Sequence, residues 1–326
     1  MDRSLKIASF DTTCFSTLSP LEEVVGNTPL FPLRRVTAGL NPNVQVLAKA
    51  EWFNPGGSVK DRPALNILRN ALCDGSLGYD GVPIPGKRLL DSTSGNMGIS
   101  YATFGAALGV PVTLTLPANA SPERIAILRV LGAELILTDP GEGSDGAIRK
   151  VREIAARSGD QYWYANQYDN PANWQAHYLT TGPEIAHQTY HQVTHFIAGL
   201  GTSGTLTGVG RYLKELDPSI QVIAGQPAGP FHGLEGLKHM PTALRPGIFD
   251  PAFPDRTIEI QTEDAYEMVR RLAREEGLFV GISSGAAAWA ALELARELES
   301  GVIVTIFPDA GYKYLSDNEI WKSERK

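Results

Sequence analysis

Apolar runs and amphipathic stretches alternate along most of the chain, the pattern of buried strands joined by helical crossovers. Seven runs read as strands: VQVLAKAE (44–51), KRLLDS (87–92), PVTLTLP (111–117), AELILTD (133–139), THFIAGLG (194–201), IQVIAGQP (220–227) and VIVTIFPD (302–309). Between them, ISYATFGAALG (99–109), PERIAILRVLG (122–132), DGAIRKVREIAARSG (145–159) and TGVGRYLKEL (207–216) show helical spacing. Short Gly and Pro turns separate the two kinds of segment, as parallel βα units require. The fold class is therefore α/β. No fixed-period repeat, low-complexity tract or linker marks a boundary.

In open α/β sheets, ligands sit beyond the carboxyl ends of strands, so glycine-rich strand-to-helix turns are the places to search. Gly201, Thr202, Ser203, Gly204 and Thr205 join a strand to a helix and offer N–H groups and hydroxyls to a phosphate. The same pentapeptide would also serve as a close-packed turn, and it matches neither the Walker loop nor G-x-G-x-x-G. In LLDSTSGNMGIS (89–100), Thr93, Ser94 and the nearby backbone can receive a carboxylate and Asn96 can donate to another oxygen, or the hydroxyls simply cap a helix. Ser283 and Ser284, ahead of an Ala-rich helix, carry the same two readings.

Lys60, in EWFNPGGSVKDRPALNIL (51–68), adds a chemical constraint. It stands where a turn runs into a helix, a poor place for an ordinary surface cation but one that lowers an amine pKa. A lysine that must be neutral part of the time, a phosphate cup, an anion-binding turn and a hydroxyl pair together suit pyridoxal 5'-phosphate held as a Schiff base.

Composition narrows the partners. The chain has 326 residues, 43% hydrophobic and 20% charged, enough for one large domain or two. A net charge of −7 and no basic run with interleaved aromatics argue against nucleic acid. The apolar FGAALGVPVTLTLP is too short and Pro-broken to span a bilayer, and the first twenty residues lack a signal-peptide core, so the expectation is a cytoplasmic protein without a membrane partner. Cys14 and Cys73 lack metal-ligand spacing and are expected to be free, inert thiols. His187, His191 and His195 are spaced by four but have no carboxylate beside them, so no metal is expected.

Five motifs, GNTPL (26–30), NPGGSVKDR (54–62), STSGNMG (92–98), GTSGT (201–205) and GISSGAA (281–287), recur here in the order and spacing of a known family. The chain resembles the cysteine synthase and cystathionine β-synthase family of fold-type II pyridoxal phosphate enzymes, with the two-domain architecture of the tryptophan synthase β subunit. The resemblance implies a Schiff base on Lys60, which also moves the substrate α-proton. It implies that the GTSGT loop holds the cofactor phosphate, Asn96 the ring oxygen and Ser283 the pyridine nitrogen. Thr93, Ser94 and Gln167 then bind the substrate carboxylate. Met97 departs from the family's threonine and cannot donate a hydrogen bond through its side chain.

The implied reaction is β-replacement on O-acetyl- or O-phospho-L-serine with sulfide or another sulfur donor, giving L-cysteine through an α-aminoacrylate intermediate. Cystathionine synthesis and diaminopropionate formation are the alternatives, and a non-catalytic regulatory protein of the same fold is a remoter one. A larger cofactor-binding domain (1–50 and 165–326), a smaller mobile substrate-binding domain (51–164) and a homodimer are implied as well. In the 229–250 loop, Lys238 stands where phosphoserine-using relatives place an arginine, with His232 and Arg245 as further candidates to read the leaving group.

Overall fold

The computed structural model describes residues 19–93 and 95–321. Two sheets organise it. The larger has six strands in the order Leu30–Pro32, Val44–Ala50, Gly301–Phe307, His195–Gly199, Gln221–Pro227 and Arg256–Ile260, all parallel except the first pair. The smaller has four parallel strands in the order Glu134–Thr138, Val112–Pro117, Arg88–Ser92 and Tyr162–Tyr164. All seven runs singled out above form strands. The additional strands are short or lie at edges, where the apolar signal is weak: RTIEI buries only Ile258 and Ile260, because successive side chains point to opposite faces and one face is exposed.

Central strands read differently. GVIVTIF is buried from Ile303 to Phe307, since helices and strands cover it on every side. The Ala-rich helix Ile282–Glu297 packs on this sheet and on the helix Thr262–Arg271. Small side chains permit the approach: a Cβ on Gly285 would strike the carbonyl of Ala265. No helix among the described residues is long and apolar enough to cross a membrane.

One ion network ties the sheet to the segment that carries Lys60. The Arg62 guanidinium is fully buried and grips two carboxylates, Glu51 through Nε and Nη2 (2.7 and 2.8 Å) and Glu184 through Nη1 and Nη2 (2.7 and 2.8 Å). Lys49 adds a 2.6 Å contact to Glu184. The GNTPL motif braces the same group: Thr28 Oγ1 donates to Glu51 (2.7 Å), the Asn27 N–H donates to Glu184 (3.0 Å), and a Cβ on Gly26 would crowd Glu184 and Arg62. The adjacent cations hold Glu184 down at about 2 against its burial.

Cys73 closes the helix Asp61–Cys73 and is disulfide-bonded, which corrects the expectation of a free thiol; separation along the chain does not report distance in space. Cys14 lies outside the described residues.

Removing Arg62 leaves buried Glu51 without an ion pair and Glu184 with Lys49 alone, so Arg62→Met is expected to cost about 3–5 kcal/mol of stability. The shift in urea midpoint measures it, and a variant as stable as the wild type would show that the network does not hold the fold.

Candidate active site

A cavity of about 470 Å³ lies between the carboxyl ends of strands from both sheets, a volume suited to a cofactor with a small substrate. Lys60, Thr93, Asn96, Met97, Gln167, Gly201, Thr202, Thr205, Lys238 and Ser283 all line it, although they come from widely separated parts of the chain. Ser203 and Gly204 are not among the lining residues, and Ser94 lies outside the described residues. His232 also lines the cavity, whereas Arg245 does not.

Lys60 immediately precedes the helix Asp61–Cys73. Its amine is lowered to about 8, chiefly by burial, against the opposing charges of Asp309 and Glu51. Burial thus moves the amine in the direction that the sequence suggested for the helix terminus. Asp61, the next residue, accepts bonds from the Gly56 N–H (2.6 Å) and from Ser100 Oγ (2.5 Å), which fixes the turn on which Lys60 stands.

The GTSGT turn follows the strand His195–Gly199 and opens the helix Gly204–Leu216. Ser203 has φ 71°, and its buried hydroxyl neither caps the helix nor finds a partner among the described residues. The loop is tight: a Cβ on Gly201 would come within 2.5 Å of the Gly236 carbonyl, and one on Gly204 would strike Asn173. Behind Thr205, His177 Nε2 lies 3.2 Å from the hydroxyl, its ring held neutral by burial and by the cations Arg62 and Lys60.

At the opposite edge, Thr93 Oγ1 accepts the N–H groups of Gly95 (3.1 Å) and Gly98 (3.0 Å) at the start of the helix Asn96–Leu108. Thr93 thus spends its acceptor capacity locally, while its proton makes only a long 3.4 Å contact to the Gly95 carbonyl that a ligand can replace. Met97 is 3% exposed and supplies an apolar wall. Asn96 is clamped, with its Nδ2 donating to Asp309 (2.7 Å) and its Oδ1 accepting from Lys313 (2.9 Å). Ser283 lies in the first turn of the helix Ile282–Glu297, yet no side chain caps that helix, so the capping reading of the two serines fails.

Comparison with known proteins agrees with this geometry. The sequence profile of the pyridoxal-phosphate dependent enzyme family matches residues 21–309. The chain belongs to that family. A cysteine synthase of Aquifex aeolicus is 54% identical over 299 residues, covering 90% of each chain. Cysteine synthase B of Pseudomonas aeruginosa is 42% identical over 91% of this chain and 95% of its own. The crystal structure of a cysteine synthase from Entamoeba histolytica superposes with a TM-score of 0.87 at 36% identity, covering 95% of this chain and 92% of that one.

The residues present fit the family's cofactor. An unpartnered buried hydroxyl at a helix start, glycines that leave no room for a Cβ, and a lysine with a depressed amine are what a phosphate and an aldehyde require. Sequence reasoning missed Asp309, Lys313, His177, Asn173 and Asp145; of these only Asp145, in PGEGSDG (140–146), stands in a glycine-rich turn. Asp309 and Lys313 fall together in the segment DAGYKYLS (309–316).

Lys238 is 7% exposed, not a solvated surface lysine. Its Nζ meets Asp145 Oδ1 at 3.0 Å and lies 5.1 Å from the centre of the Tyr168 ring. Glu235, also on the cavity wall, pairs with Arg124, which stacks on Tyr314 at 4.8 Å.

Competitive acetylation of the apoprotein, read by mass spectrometry, is expected to give Lys60 a titration midpoint near 8. A midpoint above 10, the ordinary lysine value, would show that burial does not depress it.

Proposed function

We propose that this pyridoxal-phosphate dependent enzyme makes L-cysteine by β-replacement on an activated L-serine, with sulfide or another sulfur donor as the nucleophile. One observation carries the reading: Lys60, which has no ion-pair partner among the described residues, opens into the same cavity as the GTSGT loop, Ser283 and the Thr93–Gln167 edge. The cysteine synthases among its relatives support the product.

In this reading the GTSGT loop holds the phosphate, Asn96 donates to the ring oxygen and Ser283 meets the pyridine nitrogen. The Asp309–Lys313 clamp selects the orientation of the Asn96 amide. Bound pyridoxal phosphate supplies an electron sink that acidifies the substrate α C–H and lets the β-substituent depart. A serine opposite the ring nitrogen, unlike a carboxylate, does not keep it protonated, which favours elimination over racemisation. Lys60 Nζ, an amine for about half its population near pH 8, takes the α-proton and returns one at the end. Thr93 and Gln167, with backbone N–H groups, hold the substrate carboxylate. Met97 shapes the apolar side, and closure of the smaller domain (51–164) on the larger excludes water.

Lys238 faces the leaving group. Its placement in the cavity supports a phosphorylated donor, and its contact with Asp145 offsets part of its charge. The family resemblance supports a homodimer, working in the cytoplasm.

Lys60→Ala is expected to abolish turnover, and borohydride reduction of the wild-type holoenzyme should leave the cofactor mass on the Lys60 peptide. A fully active alanine variant would overturn the assignment. Lys238→Ala is expected to lower kcat/KM for O-phosphoserine about tenfold while sparing O-acetylserine, the loss of one charge-assisted contact. Equal losses with both donors would show that Lys238 does not read the leaving group.

A further inference from the structure

Asp91 is a fully buried carboxyl group that the proposed chemistry leaves unused. It lies next to last on the strand Arg88–Ser92, directly behind the carboxylate edge of the cavity. Its Oδ1 accepts the Ser92 N–H (2.8 Å) and its Oδ2 accepts the Gln167 N–H (3.2 Å). Gln167 returns a bond from Nε2 to the Ser92 carbonyl (2.6 Å), and its side chain also reaches Asp91. Asn173 then holds the Gln167 carbonyl (2.7 Å) and the Thr202 hydroxyl (3.1 Å). One carboxyl group thus fixes Gln167 and the strand end beside Thr93, and Asn173 extends that placement to the phosphate loop.

The titratable groups that face Asp91 are Tyr101 from the helix Asn96–Leu108, Tyr164 from the strand Tyr162–Tyr164, and Tyr168 from the loop beyond it. All three are neutral phenols, Arg152 reaches Tyr164 from the solvent side of the group, and no cation is among the leading influences on Asp91. The Tyr101 hydroxyl faces Asp91 and has no other partner among the described residues; it donates to the ionised carboxyl group, as the Ser92 and Gln167 N–H groups do, and turns to accept when the group is protonated, while burial outweighs these donors. An ionised Asp91 would place a second buried negative charge behind the residues that receive the substrate carboxylate.

We propose that Asp91 is a positioning residue for the substrate carboxylate, and that it acts in its protonated form. The inference rests on the reading of Thr93 and Gln167 as carboxylate binders. Burial already raises this carboxyl group to about 7, so it is the anionic form that grows as the pH rises above neutrality. Substrate binding just above pH 7 should therefore draw a proton onto Asp91, and affinity should fall as the pH climbs further.

The test uses the holoenzyme with O-phosphoserine between pH 6 and 9, resolving KM from kcat. Wild-type KM is expected to rise about tenfold per pH unit at the alkaline end. Asp91→Asn cannot titrate and presents an amide N–H where Gln167 needs an acceptor. It should raise KM about fivefold at pH 6.5, the loss of one hydrogen bond, and then leave KM flat with pH while kcat is retained. Calorimetry of L-alanine binding to wild type, in two buffers of different ionisation enthalpy, needs no variant and should record proton uptake at pH 7.5. A flat wild-type KM with no proton uptake overturns the inference, and so does an Asp91→Asn variant that keeps the wild-type pH dependence. Gln167→Ala separates the two readings: if it leaves KM unchanged, the carboxylate site itself is wrong. If it raises KM while Asp91→Asn does not, only the role of Asp91 falls.

Discussion

Arg62 is the residue on which the placement of Lys60 depends. Its guanidinium is planar and cannot lose its proton in water-like conditions, and its fork closes on Glu51, at the end of a sheet strand, and on Glu184, in the helix Gly182–Gln188. Those two carboxylates stay ionised in the buried interior because the cations are there, and the cations tolerate burial because the carboxylates are. Lys60 lies two residues upstream on the same chain, so the first turn of its helix cannot shift without breaking that lattice. Asp61 fixes the intervening residue through Gly56 and Ser100.

The cavity wall shows the same economy of charge. Lys238 is matched by Asp145, Arg124 by Glu235, and Lys313 lies across Asn96 from Asp309. Lys60 and Lys313 both lack an ion pair among the described residues, but Lys313 spends its amine on the Gly57 carbonyl (3.0 Å) and Asn96 Oδ1 (2.9 Å), whereas burial lowers the Lys60 amine toward working pH. Partner geometry thus divides lysines of identical chemistry between structural and reactive roles.

Much of the fold was legible because parallel strands buried on both faces give near-continuous apolar runs, and seven of them announced themselves. The short edge strands did not, since one exposed face dilutes the pattern. The candidate site was legible wherever a glycine was forced by close approach, as at Gly201 and Gly204, because a missing Cβ is visible in the sequence itself.

What the sequence by itself determined is the chemistry of the pieces: an α/β chain with a lysine at a helix start, a phosphate-sized glycine turn and a hydroxyl-rich edge. Only the tertiary structure decided which charges meet. The pairing of Lys238 with Asp145, 93 residues away, and of Asn96 with Asp309, 213 residues away, follows from strand ends converging on one cavity. So does the isolation of Asp91 among phenols. Burial and ion pairing depend on distance through space in a low-dielectric interior, and neighbours along the chain carry little of that information.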